Sequence, residues 1–266
     1  MLTMWGTAAI GLVIGLVVGA FGGGGGVLTV PVLVYLLGQS AQAATASSVV
    51  IVGCTAVVGV LARLRAGTIA WRIGLAFGAA GIPAAYLGSV LNQHVAGPVV
   101  LLAFAGVTLV AAAAMLLSGG DPEPAEDTTA SSAGSGALLT RPRTGTAVRV
   151  VGCGAAVGFL TGFLGVGGGF LVVPALVLVL RLPMVAAIGT SLVILSVNAV
   201  AALASRAGLA GLDWPVVLPF ALAAVLGTLA GKSISDRLSS TLLTRAFGVL
   251  LGLVGAFVAV ESLGLL

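Results

Sequence analysis

The sequence predicts an all-α integral membrane protein made of two homologous modules. Each module is a Gly-tipped, broken or re-entrant helix hairpin plus three transmembrane helices, about eight transmembrane segments in all. Three observations predict this. Of the 266 residues, 59% are hydrophobic and 7% charged, against roughly 25% charged in a soluble domain. The apolar residues gather in long runs, and mean hydropathy is +1.26. The second half of the chain also repeats the first.

The composition excludes several function classes. Eleven Lys+Arg and seven Asp+Glu cannot cover the exterior of a water-soluble globule, so soluble enzymes and nucleic-acid binders fall away. A transmembrane barrel needs polar residues alternating toward its lumen, and the apolar runs lack that alternation. Cys54 and Cys153 lie inside apolar runs without metal-site or disulfide spacing. They are expected to be small core thiols. Met1 to Gly22 carries no basic residues ahead of its apolar run, so it reads as a retained membrane segment and not a cleaved signal.

The apolar segments fall near 5–21, 27–37, 43–62, 73–91, 98–118, 148–164, 170–180, 184–205, 214–231 and 240–263. Between 119 and 147 the composition changes to Asp, Glu, Pro, Ser, Thr and Gly. Four of the seven acidic residues, Asp121, Glu123, Glu126 and Asp127, sit there. This predicts a first membrane module at 1–118, a polar, disordered linker at 119–147 and a second module at 148–266.

An offset of 143 residues aligns 11–71 with 154–214 without a gap and gives 22 identities in 61 positions. The telling matches are punctuation. Gly11, Gly15 and Gly19 fall on Gly154, Gly158 and Gly162. Gly22, Gly24, Gly25 and Gly26 fall on Gly165, Gly167, Gly168 and Gly169. Pro31 falls on Pro174, Ser48 on Ser191, Arg63 on Arg206 and Trp71 on Trp214. Internal repeats of this kind build many secondary transporters. The spaced Gly triplets put a smooth stripe on one helix face, where a second helix can approach closely.

Residues 5–37 are too long for one span of a hydrocarbon core of about 30 Å and too short for two. The Gly22–Gly26 run divides them. The second arm, near 27–37, would be roughly 16 Å long, with Pro31 just inside it as a first-turn proline. The expected form is a hairpin that enters, turns near mid-depth and returns to the same side. Residues 163–180 repeat it. Irregular backbone at that depth must be shielded by protein or line a cavity.

A hairpin plus three spans makes the modules inverted relative to each other. That topology puts Arg63, Arg65, Arg72, Arg141, Arg143, Arg149, Arg181, Lys232, Arg237 and Arg245 on one side and Arg206 alone on the other. Threading each broken segment straight through divides the same charges 7 to 4. The positive-inside rule favours the inverted form, with the linker cytoplasmic and both termini outside.

The Gly22–Gly26 run with Pro31, and Gly165-Val166-Gly167-Gly168-Gly169 with Pro174, resemble the TauE/SafE sulfite exporter (TSUP) family. Each is followed by a small-polar patch, Thr45-Ala46-Ser47-Ser48 and Gly189-Thr190-Ser191. The resemblance covers nearly the whole chain outside the linker. It implies a bacterial inner-membrane permease for sulfite, organosulfonates or related small anions. The first copy departs from the second at Gly23, where the second has Val166, and the acidic linker looks like a private insertion.

The residues permit an anion independently. A half-helix that starts after a Gly run leaves its first N–H groups unpaired and carries about half a positive charge at that end. Two such ends, built on Gly24, Gly25, Gly26 and on Gly167, Gly168, Gly169, would converge near the midplane. They would hold an oxyanion without a buried Lys or Arg. Ser47, Ser48, Thr190, Ser191 and Asn198 are the side-chain donors expected at this substrate-binding site. Ser191 and Asn198 are seven apart and share a helix face; Thr55, the repeat partner of Asn198, shares the face of Ser48. Arg63 and Arg206 read as snorkelling interfacial anchors, with attraction of anions at the two mouths as the alternative, and Trp71 and Trp214 read as aromatic-belt residues.

His94, the single histidine, lies in a loop. No carboxylate lies mid-segment. No catalytic residue, metal or cofactor is expected, and no enzyme activity. Gly227 to Ser233 falls one residue short of a phosphate-binding P-loop, with Leu226 where Gly is required. The reading is a secondary permease that moves a small anion, sulfite or an organosulfur or sulfonate anion, by alternating access between the two inverted repeats. The alternatives are an uptake permease or channel for another small anion such as a carboxylate, or a non-catalytic membrane scaffold subunit. The expected partners are the solute and the lipid bilayer, with no nucleic acid; a homo-oligomer is compatible with the sequence.

Overall fold

A computed structural model describes residues 2–23, 25–39, 41–92, 94–95, 97–118, 144–164, 169–205 and 214–262. The described residues form ten α-helices: α1 (Leu2–Phe21), α2 (Gly25–Pro31), α3 (Ala41–Arg63), α4 (Trp71–Asn92), α5 (Gly97–Leu117), α6 (Thr144–Leu164), α7 (Gly169–Pro174), α8 (Met184–Ser205), α9 (Trp214–Ser235) and α10 (Ser240–Ser262). Seven of them, α3, α4, α5, α6, α8, α9 and α10, are long and apolar enough to cross a membrane. The rest of the linker lies outside the described residues; α6 begins at Thr144, inside the segment assigned to it.

Helix directions follow from close approaches. Gly11, Gly15 and Gly19 of α1 face Phe220, Ala224 and Thr228 of α9 in ascending order, so these helices run parallel. Gly154, Gly158 and Gly162 of α6 face Phe77, Gly81 and Ala85 of α4, also parallel. Gly53 and Gly59 of α3 meet Ala199 and Leu192 of α8 in reverse order, so these run antiparallel. Gly248 and Gly255 of α10 meet Leu116 and Leu109 of α5 in the same reversed sense. In the α1–α9 and α4–α6 pairs a methyl on the Gly stripe would strike the partner's backbone, which no rotamer change relieves.

The Arg63 guanidinium at the end of α3 donates to the Gly19 carbonyl in the last turn of α1. α1 runs parallel to α9, and α3 antiparallel to α8. With α8 and α9 as consecutive spans of opposite direction, α1 and α3 run the same way, and the chain from Gly22 to α3 travels back between them.

The second arms are half-helices of two parts. Gly25–Pro31 continues into a π-helical turn at Val32–Leu36, and Gly169–Pro174 into another at Ala175–Val179. Together they run 12 and 11 residues, roughly 18 and 16 Å. This corrects the placement of Pro31. It ends α2 instead of sitting in a first turn, because the helix starts earlier, at Gly25. Proline removes an N–H and crowds the preceding turn, and widening to i→i−5 bonds, Leu37 N–H to Val32 O and Leu180 N–H to Ala175 O, accommodates it. Every residue from Gly169 to Val177 is buried, so this half-helix is shielded by protein, as irregular structure inside a bilayer must be.

Two apolar clusters fill the interior. One gathers Phe77, Phe104, Phe170, Leu176, Ile188 and Phe247 around α7. The other gathers Ile14, Leu33, Ile51, Leu192 and Phe220 around α2. Large apolar side chains such as Tyr86, Val110, Leu117, Leu226 and Leu253 face outward, as lipid-facing positions do. Cys54 is exposed on α3 and is not a core thiol, because an apolar run in a membrane helix also supplies the lipid-facing surface; Cys153 is half-buried and packs against the apolar cluster around α7.

Candidate functional site

The two hairpin tips meet. Gly22 takes φ +72°, a left-handed conformation suited to glycine, and turns the chain out of α1. An added Cβ there would lie 2.6 Å from Ser191 Oγ and 2.7 Å from Ile188 O. A Cβ on Gly169, the first residue of α7, would lie 2.9 Å from Gly23 O. Gly169 also abuts Leu195, at the middle of the 22-residue α8. The starts of α2 and α7 thus approach each other beside the centre of a full-length span. Gly25 heads α2 and packs against Val18; Gly26 follows it in the helix. Gly24, Gly167 and Gly168 lie outside the described residues.

The small-polar residues divide. The Ser191 hydroxyl lies 2.8 Å from both the Gly22 and Ile188 carbonyls, so its one hydrogen ties the first tip to α8. Ser48 donates to Thr45 O at 2.9 Å, the repeat counterpart of the Ser191–Ile188 bond. Thr190 is fully buried and accepts from the Ala70 N–H at 3.1 Å. Ser47 is also fully buried, and its hydroxyl has no partner. Asn198 is not brought to the Ser191–Gly22 contact. It lines a separate cavity of about 10 Å³ with Phe77, Gly81, Gly154, Gly158, Thr161 and Val172, room for about one water. Its Oδ1 is buried without a partner. Thr55 bonds to its own helix at Ile51 and Val52. Near the second tip, Asn92 of α4 donates to the Phe163 carbonyl at 2.5 Å.

Arg63 is the residue that sequence reasoning misplaced. It does not snorkel: it is 2% exposed. Its Nη2 donates to Gly19 O at 2.6 Å, and Nη1 is buried without a partner. Gly189, one residue before Thr190, faces Arg63 Cδ at 3.8 Å, Thr68 Oγ1 at 3.7 Å and Ile69 at 3.2 Å, measured from an added Cβ. A buried cation therefore stands beside the Gly189-Thr190-Ser191 patch, against the expectation of a site with none. The sequence carries a signal, because Arg63 recurs at the repeat position as Arg206. Its burial depends on α1 and α8 closing over it, which spacing along the chain does not reveal. Arg206 lies outside the described residues. Trp71 and Trp214 begin α4 and α9 and are each 44% exposed.

A family model described as sulfite exporter TauE/SafE matches residues 7–258. Over 259 residues the chain is 30% identical to a "Probable membrane transporter protein" of Xylella fastidiosa (strain 9a5c), covering 96% of this chain and 95% of that one. It is 25% identical over 269 residues to "Probable membrane transporter protein YunE" of Bacillus subtilis (strain 168), covering 96% of both. No solved structure matches. With the paired Gly-tipped hairpins, a family match over almost the full length and similar relatives covered end to end, the chain belongs to the TauE/SafE sulfite exporter family and is a multi-pass membrane transporter.

Proposed function

We propose that the protein is a secondary permease for a small anion, with sulfite and organosulfur or sulfonate anions as its substrates. The anion sits where the starts of α2 and α7 converge, and alternating access moves it across a bacterial inner membrane. One observation carries the reading: Gly23 lies against Gly169. In this reading the starts of α2 and α7, each with about half a positive charge, lie close together in a medium of low dielectric. Like ends repel there, and an anion between them turns the repulsion into attraction. Glycine at these positions brings the backbone N–H groups within reach of a ligand.

The modules at 1–118 and 148–266 are inverted copies in this reading. Their support is reciprocal. Gly11, Gly15 and Gly19 meet Phe220, Ala224 and Thr228, and the same contacts recur 143 residues away with the roles of the modules exchanged. The paired copies α3 and α8, and α5 and α10, run antiparallel. Helix directions then bring every described Lys and Arg to the end of the bundle from which the linker departs. Positive residues mark the cytoplasmic end, so the linker is cytoplasmic and both termini are outside.

The test is flux in proteoliposomes, with sulfite, thiosulfate, sulfonates and small carboxylates presented in turn. Stepping pH, Na⁺ and voltage in the same assay reads the coupling. Saturable movement of at least one sulfur-containing anion is expected. Movement of none of the panel would overturn the reading.

A further inference from the structure

A guanidinium at the end of an apolar span normally reaches for water, since its long stem lets it snorkel. Arg63 does the opposite. It turns inward, and among the described residues it donates one hydrogen bond, from Nη2 to the Gly19 carbonyl. Arginine carries five N–H donors, and its Nη1 is buried with no protein partner. Among the described residues no carboxylate stands within ion-pair distance of it. Asp236 acts on it only through space and is itself paired with Lys232 at 2.6 Å. A buried charge without a counter-ion is strongly disfavoured, so an anion that enters this space gains an electrostatic partner already in place.

A second unpartnered polar group lies beside it. Thr68 Oγ1 is also buried and unpartnered and shares the space in front of Gly189 with Arg63. Thr190 next to it accepts from Ala70 and can still donate its own hydrogen. Gly189 has no side chain, and an added Cβ there would touch Ile69 at 3.2 Å, Thr68 Oγ1 at 3.7 Å and Arg63 Cδ at 3.8 Å, so the three groups gather at one point of α8. The cluster lies at the basic end of the bundle, and Ser191, one residue on, touches the first hairpin tip.

We propose that Arg63, Thr68 and Thr190 form an anion-binding subsite between the basic end of the bundle and the paired hairpin tips. Its ligand is a small oxyanion, held by the guanidinium and two hydroxyls. The subsite rests on the reading of the chain as an anion carrier and adds to it a charged waiting position on one side of the tips. It gives that end of the pathway a preference for anions over neutral solutes of similar size.

The experiment uses the full-length protein, with sulfite as probe, in two assays: stabilisation against heating in detergent, and uptake into proteoliposomes. Arg63→Gln should abolish stabilisation by sulfite and raise the KM for uptake by about tenfold or more, the size of a lost hydrogen bond to a charged group. Arg63→Lys keeps the charge and should restore part of both. Thr68→Val should raise KM about threefold with the maximal rate little changed. Gly189→Ala puts a methyl into the shared space and should act in the same direction. Arg245→Gln removes an exposed charge at the same end of the bundle and should leave KM within about twofold. If Arg63→Gln does not fold, Arg63→Lys, Thr68→Val and Gly189→Ala decide the matter. Wild-type KM in those three, or an equal rise in Arg245→Gln, overturns the subsite while leaving the carrier reading standing. A wild-type protein that neither binds nor moves sulfite or any other anion of the panel overturns both.

Discussion

Gly22→Ala tests the packing of the first hairpin tip most directly. The substitution has two separable effects. The backbone at Gly22 is left-handed, φ +72°, and an L side chain there costs about 1–2 kcal/mol. The new methyl would also stand 2.6 Å from Ser191 Oγ and 2.7 Å from Ile188 O. Carbonyl and helix backbone do not move aside cheaply, so overpacking adds about 1–3 kcal/mol. Gly38 and Gly67 supply the control. Their φ values are +66° and +64°, yet nothing lies within 4 Å of an added Cβ at either. Gly38→Ala and Gly67→Ala should show the backbone effect alone. Thermal or denaturant stability of the purified protein in detergent, alongside sulfite uptake, separates the two. Gly22→Ala should lose about 1–3 kcal/mol more than either control, and anion binding should weaken about tenfold to hundredfold if that strain falls on the site. Equal losses in all three variants would refute the claim that the tip is held by contact with α8.

Four further outcomes follow from the same geometry. Ser191→Ala should destabilise the protein by about 1–2 kcal/mol in a denaturant titration, because the buried Gly22 carbonyl loses its donor. Gly25→Leu should abolish flux in proteoliposomes while membrane insertion, read by fractionation, is retained; full transport would count against the site. Gly106→Ala and Gly152→Ala, where an added Cβ meets nothing within 4 Å, should raise stability by about 0.5–1 kcal/mol each, whereas Gly15→Ala, facing the Ala224 backbone, should lower it. Periplasmic and cytoplasmic reporters fused to each terminus should report both ends outside; an inside location for both would reverse the orientation.

Much of this architecture is legible in the residues because it depends on local covalent facts. An apolar run of 20 residues must find lipid or protein, and a run of glycines cannot continue a helix. The 143-residue echo of Gly11, Gly15 and Gly19 announces a close helix crossing, although not its partner. What stays hidden depends on neighbours distant in the chain. Pro31 reads as a helix start, since nothing in the sequence says that α2 begins at Gly25 and widens into a π turn. Asn198 reads as a companion of Ser191 by helical periodicity, yet α4 and α6 cross beside it and enclose it in a different cavity. Arg63 reads as an interfacial anchor because its position is terminal along the chain, and only the packing of α1 and α8 removes it from solvent.

The reciprocal glycine crossings have a mechanical consequence. The first long helix of each half is fastened, backbone against backbone, to the third long helix of the other half. Halves defined by the sequence are therefore not halves that can swing apart as blocks. Any separation of 1–118 from 148–266 would unfasten two seams at once, and those seams have no flexible side chains to absorb the shift. A motion that kept both seams closed would have to divide the molecule across the repeat, with each rigid body taking helices from both copies.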